Sequence, residues 1–230
     1  MKRFYAAASV TGDGPHGIAL DGRPLRTPAR ATLQLPTRAL ADAIAAEWAA
    51  QGETINPRAM PLTGLANAAI DRVAADPAGF VSRLAAYAGS DVIVYRAEGP
   101  ASLLAAQAAA WDPWLDWLAR RYNAALILAT GIVHVPQPPA TLARIAQAFA
   151  ALTPFELVAM DPIVTITGSA VLALAVAEGE LDADAAYDAA HVDARWQEEQ
   201  WGRDPLAEAA EATRRHDLAA AVRFLRHLAG

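Results

Sequence analysis

Gly17-Ile18-Ala19-Leu20-Asp21-Gly22-Arg23-Pro24-Leu25-Arg26-Thr27-Pro28 decides how the chain begins. Short strand-leaning runs flank Asp21-Gly22, and a two-residue hairpin needs central positions that tolerate positive φ, as Asp and Gly do. The first forty residues carry nearly all the turn chemistry, with Gly12-Asp13-Gly14-Pro15, Thr27-Pro28 and Leu35-Pro36 beside Asp21-Gly22. The segments between, Arg3 to Val10, Gly17 to Leu20, Pro24 to Arg26 and Thr32 to Leu35, read as strands of a small antiparallel unit.

Beyond this hairpin the apolar period changes. Thr37 is placed to cap a helix with Leu40, Ile44 and Trp48 on one face, ending near Gly52 and packing on the sheet. Pro57 and Pro61 then forbid regular helix, and a domain boundary is expected there. The chain downstream is predicted helical over Leu62 to Val73, Pro77 to Ala88, Pro100 to Tyr122, Thr141 to Ala151, Phe155 to Met160 continuing after Pro162, Asp182 to Trp201, and Pro205 to Leu228. Val92 to Tyr95 and Leu126 to Leu128 read as strands or buried turns, and Leu218, Val222 and Leu225 mark the buried stripe of the last helix. The expected fold is α+β: a small amino-terminal antiparallel β domain with one packing helix (residues 1–60), followed by a larger, mainly α-helical domain (residues 61–230).

Composition narrows the function. Hydrophobic residues make up 54% of the 230, above the ~45–50% typical of soluble domains. Much of that is alanine, which favours closely packed helices. A net charge of −6 argues against nucleic acid, whose partners are usually strongly basic. Without cysteine there is no disulfide, thiolate metal site or cysteine nucleophile. The apolar run from Pro162 to Glu178 is shorter than the ~20 residues needed to span a bilayer, and it reads as a buried helix. Met1-Lys2-Arg3-Phe4-Tyr5 leads straight into a strand-like segment, with neither an apolar signal core nor an amphipathic leader.

Familiar catalytic patterns fail on context. Gly12-Asp13-Gly14-Pro15-His16-Gly17 matches the dinucleotide-binding string, but strand and turn follow it rather than an opening helix, so it reads as a hairpin loop. His16, His134, His191, His216 and His227 include no pair at the four-residue spacing that grips a metal, and residues two apart, as in His191-Val192-Asp193, point to different helix faces. Thr167-Gly168-Ser169 lacks the second glycine of a nucleophile elbow, and Ser169 reads as a small residue for close helix packing. Lys2 is the only lysine, and no phosphate-cradling loop exists. An enzyme using the carboxylates of Asp161, Asp193 and Glu198 is the alternative class, although nothing in the sequence brings two of them together.

Tryptophan is more informative. Trp111, Trp114, Leu115 and Leu118 share a helical face that reads first as core packing and second as an exposed aromatic surface. Asp112-Pro113 marks either a kink or a new helix capped by Asp112. In His191-Val192-Asp193-Ala194-Arg195-Trp196-Gln197-Glu198-Glu199-Gln200-Trp201, positions Ala189, Val192 and Trp196 would face the core. Asp193, Gln197 and Trp201 would form an adjacent ridge, which a solvated helix edge would resemble equally.

Taken together, several segments resemble one family, the ATP synthase assembly chaperones of mitochondria and alphaproteobacteria that act on the alpha subunit. They are Lys2-Arg3-Phe4-Tyr5, Leu20 to Pro28, Ile44-Ala45-Ala46-Glu47-Trp48-Ala49-Ala50-Gln51, Met60-Pro61-Leu62-Thr63, Tyr95-Arg96 with Pro100, Gln107 with Trp111-Asp112-Pro113, and Trp196-Gln197 with Trp201-Gly202. The resemblance spans essentially the whole chain. It implies a small β domain joined to a helical one, and a chaperone without catalytic residues, metal or cofactor. Its partner would be the alpha subunit of ATP synthase, with no nucleic acid and no membrane insertion. It would act in the bacterial cytoplasm, or in the mitochondrial matrix if it is a processed eukaryotic member. Trp48, within Glu-Trp-x-x-Gln, and the acidic position ahead of Trp196-Gln197 are implied to matter most; the family usually has glutamate there, and this chain has Asp193. Asp193, Gln197, Trp201 and Asp204 are thus the candidate partner-binding residues, and Glu47, Trp48, Trp111 and Asp112 the candidate structural ones.

Overall fold

A computed structural model describes residues 1–202 and 205–229, with Leu206 described in its backbone alone. The chain forms two compact units that do not follow chain order: Met1–Pro77 with Thr153–Ala159 and Ala220–Gly230, and Ala78–Leu152 with Met160–Ala219.

The first unit is built on an antiparallel sheet, β1 (Ala8–Thr11), β2 (Gly17–Leu20) and β3 (Arg23–Pro24), in the order β1-β2-β3. The Asp21-Gly22 hairpin forms as read: φ is 48° at Asp21 and 77° at Gly22, and Leu20 pairs with Arg23 across it. The dinucleotide-like string is the β1–β2 loop, closing on a Thr11–Gly17 pair. The predicted strand over Arg3 to Val10 is shorter, because the Asp21 carboxylate claims its early donors. The N–H groups of Ala6 (3.0 Å) and Ala7 (2.8 Å) donate to it, and residues before Ala8 stay out of the β1–β2 ladder. Thr32 to Leu35 is likewise not a strand, making only isolated bridges from Thr32 to Arg26 and from Leu35 to His16.

Helix α1 (Arg38–Ala49) buries Leu40, Ala41, Ile44 and Trp48, and Thr37 Oγ1 accepts the Leu40 N–H at 3.2 Å. Trp48 lies edge-on to Tyr5 at 5.6 Å, and its carbonyl accepts the Tyr5 hydroxyl at 2.7 Å. Glu47 reaches the start of α2 (Pro61–Ala68), accepting from the N–H of Leu62 (2.8 Å) and from the N–H (2.8 Å) and hydroxyl (2.7 Å) of Thr63. Gln51 ties the intervening loop by accepting the Asn56 N–H at 2.7 Å. Glu-Trp-x-x-Gln is therefore one device: a helix cap, a core aromatic and a loop anchor in and just beyond the last turn of α1. The predicted helix to Val73 loosens into a π-helical turn at Ala69–Val73. From the returning segments, Phe155 stacks on Phe224 at 6.3 Å, and the Thr37 hydroxyl donates to the His227 carbonyl at 2.5 Å.

The second unit contains α3 (Pro77–Ala85), from Ala78 onward, and a parallel pair, β4 (Tyr95–Arg96) with β5 (Ala129–Thr130). Its helices include α4 (Ala101–Tyr122) and α5 (Pro139–Ala150), and from Met160 on it takes in α6 (Pro154–Thr167). It is completed by α7 (Ala170–Ala177), α8 (Ala183–Ala190), α9 (Val192–Trp201) and α10 (Pro205–Ala229) as far as Ala219. Helix α4 passes through Pro113 unbroken, so Asp112 starts no new helix; its carboxylate meets Arg96 at 2.6 Å. The apolar run read as one helix divides at Gly168 (φ 65°). Ser169 is not packing filler but the cap of α7, its Oγ accepting the Leu172 N–H at 3.0 Å. Ala170 to Val176 are all buried, and α7 packs against α4, α5 and α8. The helix predicted from Asp182 to Trp201 breaks at His191 (φ −117°, ψ 29°), whose ring stacks on Tyr187 at 3.9 Å while its Nδ1 lies 2.8 Å from the Tyr187 carbonyl. In α10, Leu218 and Val222 are buried as expected, with Phe224 in place of Leu225. No described helix is long and apolar enough to cross a membrane.

Under α7 lies Asp91, fully buried, accepting from the N–H of Val171 (3.2 Å) and Ile93 (3.3 Å). Burial raises its carboxyl to about 6, against the pull of hydrogen bonds from Ser169 and backbone amides. Between its ordinary 3.8 and about 6 the fold keeps a proton that the unfolded chain has lost. Stability therefore falls as pH rises through that window and levels off above it, by up to about 3 kcal/mol. Denaturant midpoints from pH 4 to pH 7 should show the Asp91→Asn variant gaining on the unsubstituted protein by that amount; a constant gap contradicts the assignment. Separately, Glu47→Ala should lower stability by about 1–2 kcal/mol through loss of the α2 cap, and Glu47→Gln by less, measured as melting temperature.

Candidate functional site

Helix α4 organises the second unit through residues one turn apart. Gln107 is 0% exposed; its Oε1 accepts the Ala97 N–H at 2.9 Å, and its Nε2 donates to Asp193 Oδ1 at 2.7 Å. One turn on, Trp111, 1% exposed, donates its indole N–H to the Ala189 carbonyl at 2.7 Å. The two Gln107 bonds hold α9 and the residue that follows the short strand β4; the Trp111 bond holds the end of α8. Arg96 completes the cluster, its guanidinium 5.1 Å over the Trp111 ring and paired with Asp112.

Between α4 and the α8–α9 pair lies an open cleft of about 610 Å³. Its floor is largely apolar, with Ala106, Ala109, Ala110, Pro113, Trp114 and Val192. Asp188, Arg195, Trp196 and Glu199 are also among its lining. Small side chains on α4 leave the space and half-buried tryptophans border it, an arrangement suited to receiving another protein's apolar side chains. An ion network braces one wall. Asp188 meets Arg215 at 2.6 Å and Arg195 at 3.4 Å, and Arg215 also reaches Glu211 at 2.8 Å and lies 4.1 Å over the Tyr187 ring. These carboxylates hold the Arg215 guanidinium well above its usual range, although burial opposes them. His191 is pushed below its ordinary value, first by burial and then by Arg214 and Arg215.

Of the residues expected to bind a partner, Asp193, Gln197 and Trp201 all lie on α9 and are exposed, Trp201 by 76%. Trp196, expected in the core, is half-buried at the cleft and edge-on to Trp201 at 6.1 Å; His191 separates its helix α9 from α8. Ala189 and Val192 are buried as read. Asp204 lies outside the described residues. Of the structural set, Trp111 is core; Trp114, outside that set, borders the cleft. The carboxylates of the enzymatic alternative are not gathered in the cleft. Asp161 pairs with Arg83 at 2.8 Å, Asp193 is held by Gln107, and neither of these nor Glu198 lines it. Among the described residues no group of three His, Asp or Glu could hold a metal ion. Gln107 entered the sequence reading only as a piece of the family resemblance, with no role of its own; an amide among alanines was its further local signal.

A sequence-family model described as ATP12 chaperone protein matches residues 2–119. Among solved structures, Atp12 from Paracoccus denitrificans is similar to this chain with a TM-score of 0.94 and 42% identity, covering 99% of this chain and 98% of the other. The Atu1473 protein of Agrobacterium tumefaciens matches at the same TM-score and identity, covering 99% of this chain and 86% of its own. The family model ends before α8 and α9, whereas both structures extend the likeness across them.

Because Gln107 presents both an acceptor and a donor, Gln107→Leu should leave the Ala97 N–H unpaired and release Asp193, costing about 1–3 kcal/mol. A melting temperature several degrees lower, with Asp193→Asn much milder, is the expected result. An unchanged melting temperature contradicts this placement of Gln107.

Proposed function

Because the chain belongs to the ATP12 chaperone family, a family of ATP synthase assembly chaperones, we propose that its client is the unassembled alpha subunit, held until the beta subunit replaces it. The observation that carries the reading is the open apolar cleft of about 610 Å³ with the exposed Asp193, Gln197 and Trp201 ridge beside it. Exposed apolar surface of this kind marks interaction sites, and a subunit face destined for burial aggregates if left bare.

The cleft takes apolar side chains of that face. Asp193, oriented by Gln107, meets a basic group of the client, and Trp201 extends the contact. Charge pairing orients the encounter, and apolar burial supplies most of the affinity. Release follows from competition, since the proper partner subunit offers greater buried area and better charge matching. No bond is made or broken, and no nucleotide is consumed. The bacterial cytoplasm is the compartment that this reading assigns, in keeping with the bacterial sources of both matching structures.

In the decisive assay, purified alpha subunit is diluted from denaturant with and without this protein and light scattering is followed. The unsubstituted protein should suppress scattering in proportion to its amount. Asp193→Lys should lose about 2–5 kcal/mol of client affinity, because it replaces an attractive charge with a repulsive one, while melting only a few degrees lower. Full client protection by Asp193→Lys removes Asp193 from the mechanism, and indifference of the alpha subunit to the unsubstituted protein removes the mechanism itself.

A further inference from the structure

Tyr122 to Ala143 contains no Asp, Glu, Lys or Arg. Much of this segment is neither helix nor core: Ile127 and Leu128 are about half exposed, and Ile132 is 100% exposed beside a largely exposed Val133. Monomer surfaces seldom gather branched apolar side chains in one place without a partner to cover them.

The loop is firmly tied. Gln137, itself buried, accepts the Ile127 N–H at 2.7 Å and donates to the Ile127 carbonyl at 2.9 Å. The Thr141 hydroxyl donates to the Ala125 carbonyl at 2.9 Å. The Gly131 N–H donates to the Arg96 carbonyl at 2.8 Å, extending the β4–β5 pairing, and the Tyr95 hydroxyl lies 3.1 Å from His134 Nδ1. Both limbs are fixed while the tip, Ile132-Val133, stands in solvent. A contact organised in advance loses little conformational entropy when it binds.

A carboxylate lies beside its turn, while the cation Arg144 sits at its base and donates to the Asn123 carbonyl. Gly131 has φ +73°, and a Cβ there would lie 2.9 Å from Glu98 Oε1, so the Glu98 carboxylate rests against the turn. The preceding residue, Ala97, donates to Gln107, whose other end holds Asp193. The cation of this strand, Arg96, is already taken by Asp112. One short strand therefore joins the loop to the Asp193 site.

We infer that the Asn123–Pro138 loop, with Ile132 and Val133 at its tip and Glu98 beside its turn, is a second client contact continuous with the Asp193 site. Its occupant is an apolar segment of an unassembled subunit that carries a basic residue next to its apolar anchors. The inference rests on the chaperone reading above. The Glu98 carboxylate beside the turn is repelled by anionic lipid, and a symmetric pairing of two copies through this tip would set Glu98 against Glu98.

The test repeats the refolding assay over a range of concentrations with Ile132→Ser/Val133→Ser and with Glu98→Lys. Since these side chains are exposed, melting temperature should not change. The double variant should need about ten-fold more protein for half-maximal suppression of alpha-subunit scattering, and Glu98→Lys should weaken suppression most at low salt. Equal potency of the double variant and the unsubstituted protein overturns the inference and leaves the Asp193 contact standing. If the unsubstituted protein fails to suppress scattering, both fall together. A sedimenting dimer, or flotation with phosphatidylcholine–phosphatidylglycerol vesicles, that disappears in the double variant assigns the tip to another occupant and also overturns it.

Discussion

Gln107 is the hinge of the arrangement on which the candidate site depends. It is fully buried, and its two polar ends face different parts of the unit: the Ala97 N–H at the end of β4 and the Asp193 carboxylate on α9. Only an uncharged amide meets both demands at this position. Glutamate would set one carboxylate against another, and an apolar residue would leave a buried donor unpaired. Trp111, four residues later on the same face, repeats the tie to α8 through the Ala189 carbonyl. Helix α4 thus acts as a template that fixes a strand on one side and a helix pair on the other, and the cleft is the space left over its alanines.

The same economy of polar groups recurs in both units. Glu47 covers the open N–H groups of α2, Asp21 those of Ala6 and Ala7, Asp71 that of Ala29, and Asp91 that of Val171 at the start of α7. Each carboxylate closes backbone donors that no regular element satisfies. Part of the formal charge of −6 is therefore architectural. Asp193 and Glu98 differ from these in remaining exposed, which is why they rather than the others are the acidic residues proposed to meet a partner.

A chaperone must combine apolar reach with solubility. Here the two are separated by location. The cleft floor is made of alanine, proline and tryptophan on helices, and the uncharged loop after α4 is tethered by Gln137 and Thr141, so neither exposure comes from loose packing. Charged residues, Asp188, Arg195 and Glu199, share the cleft's lining, a placement that suits steering more than affinity.

Features that rest on local geometry were legible in the residues themselves. Asp21-Gly22 requires two positive φ values, Thr37 offers a cap, Leu40, Ile44 and Trp48 repeat at one helical face, and the structure realises each. What escaped was decided either by local polar groups that outweigh periodicity or by partners distant in the chain. The Ser169 cap and the His191 break override a continuous apolar period, the Asp21 carboxylate shortens the first strand, and Gln107 finds Asp193 across 86 residues. By itself the sequence determined the α+β order, the hairpin and the amphipathic faces, because these depend on φ preferences and periodicity within a few residues. The cleft, the orientation of Asp193 and the exposure of the loop tip were decided only by tertiary structure, because a buried polar atom takes whichever partner the folded chain brings within 3 Å or so of it.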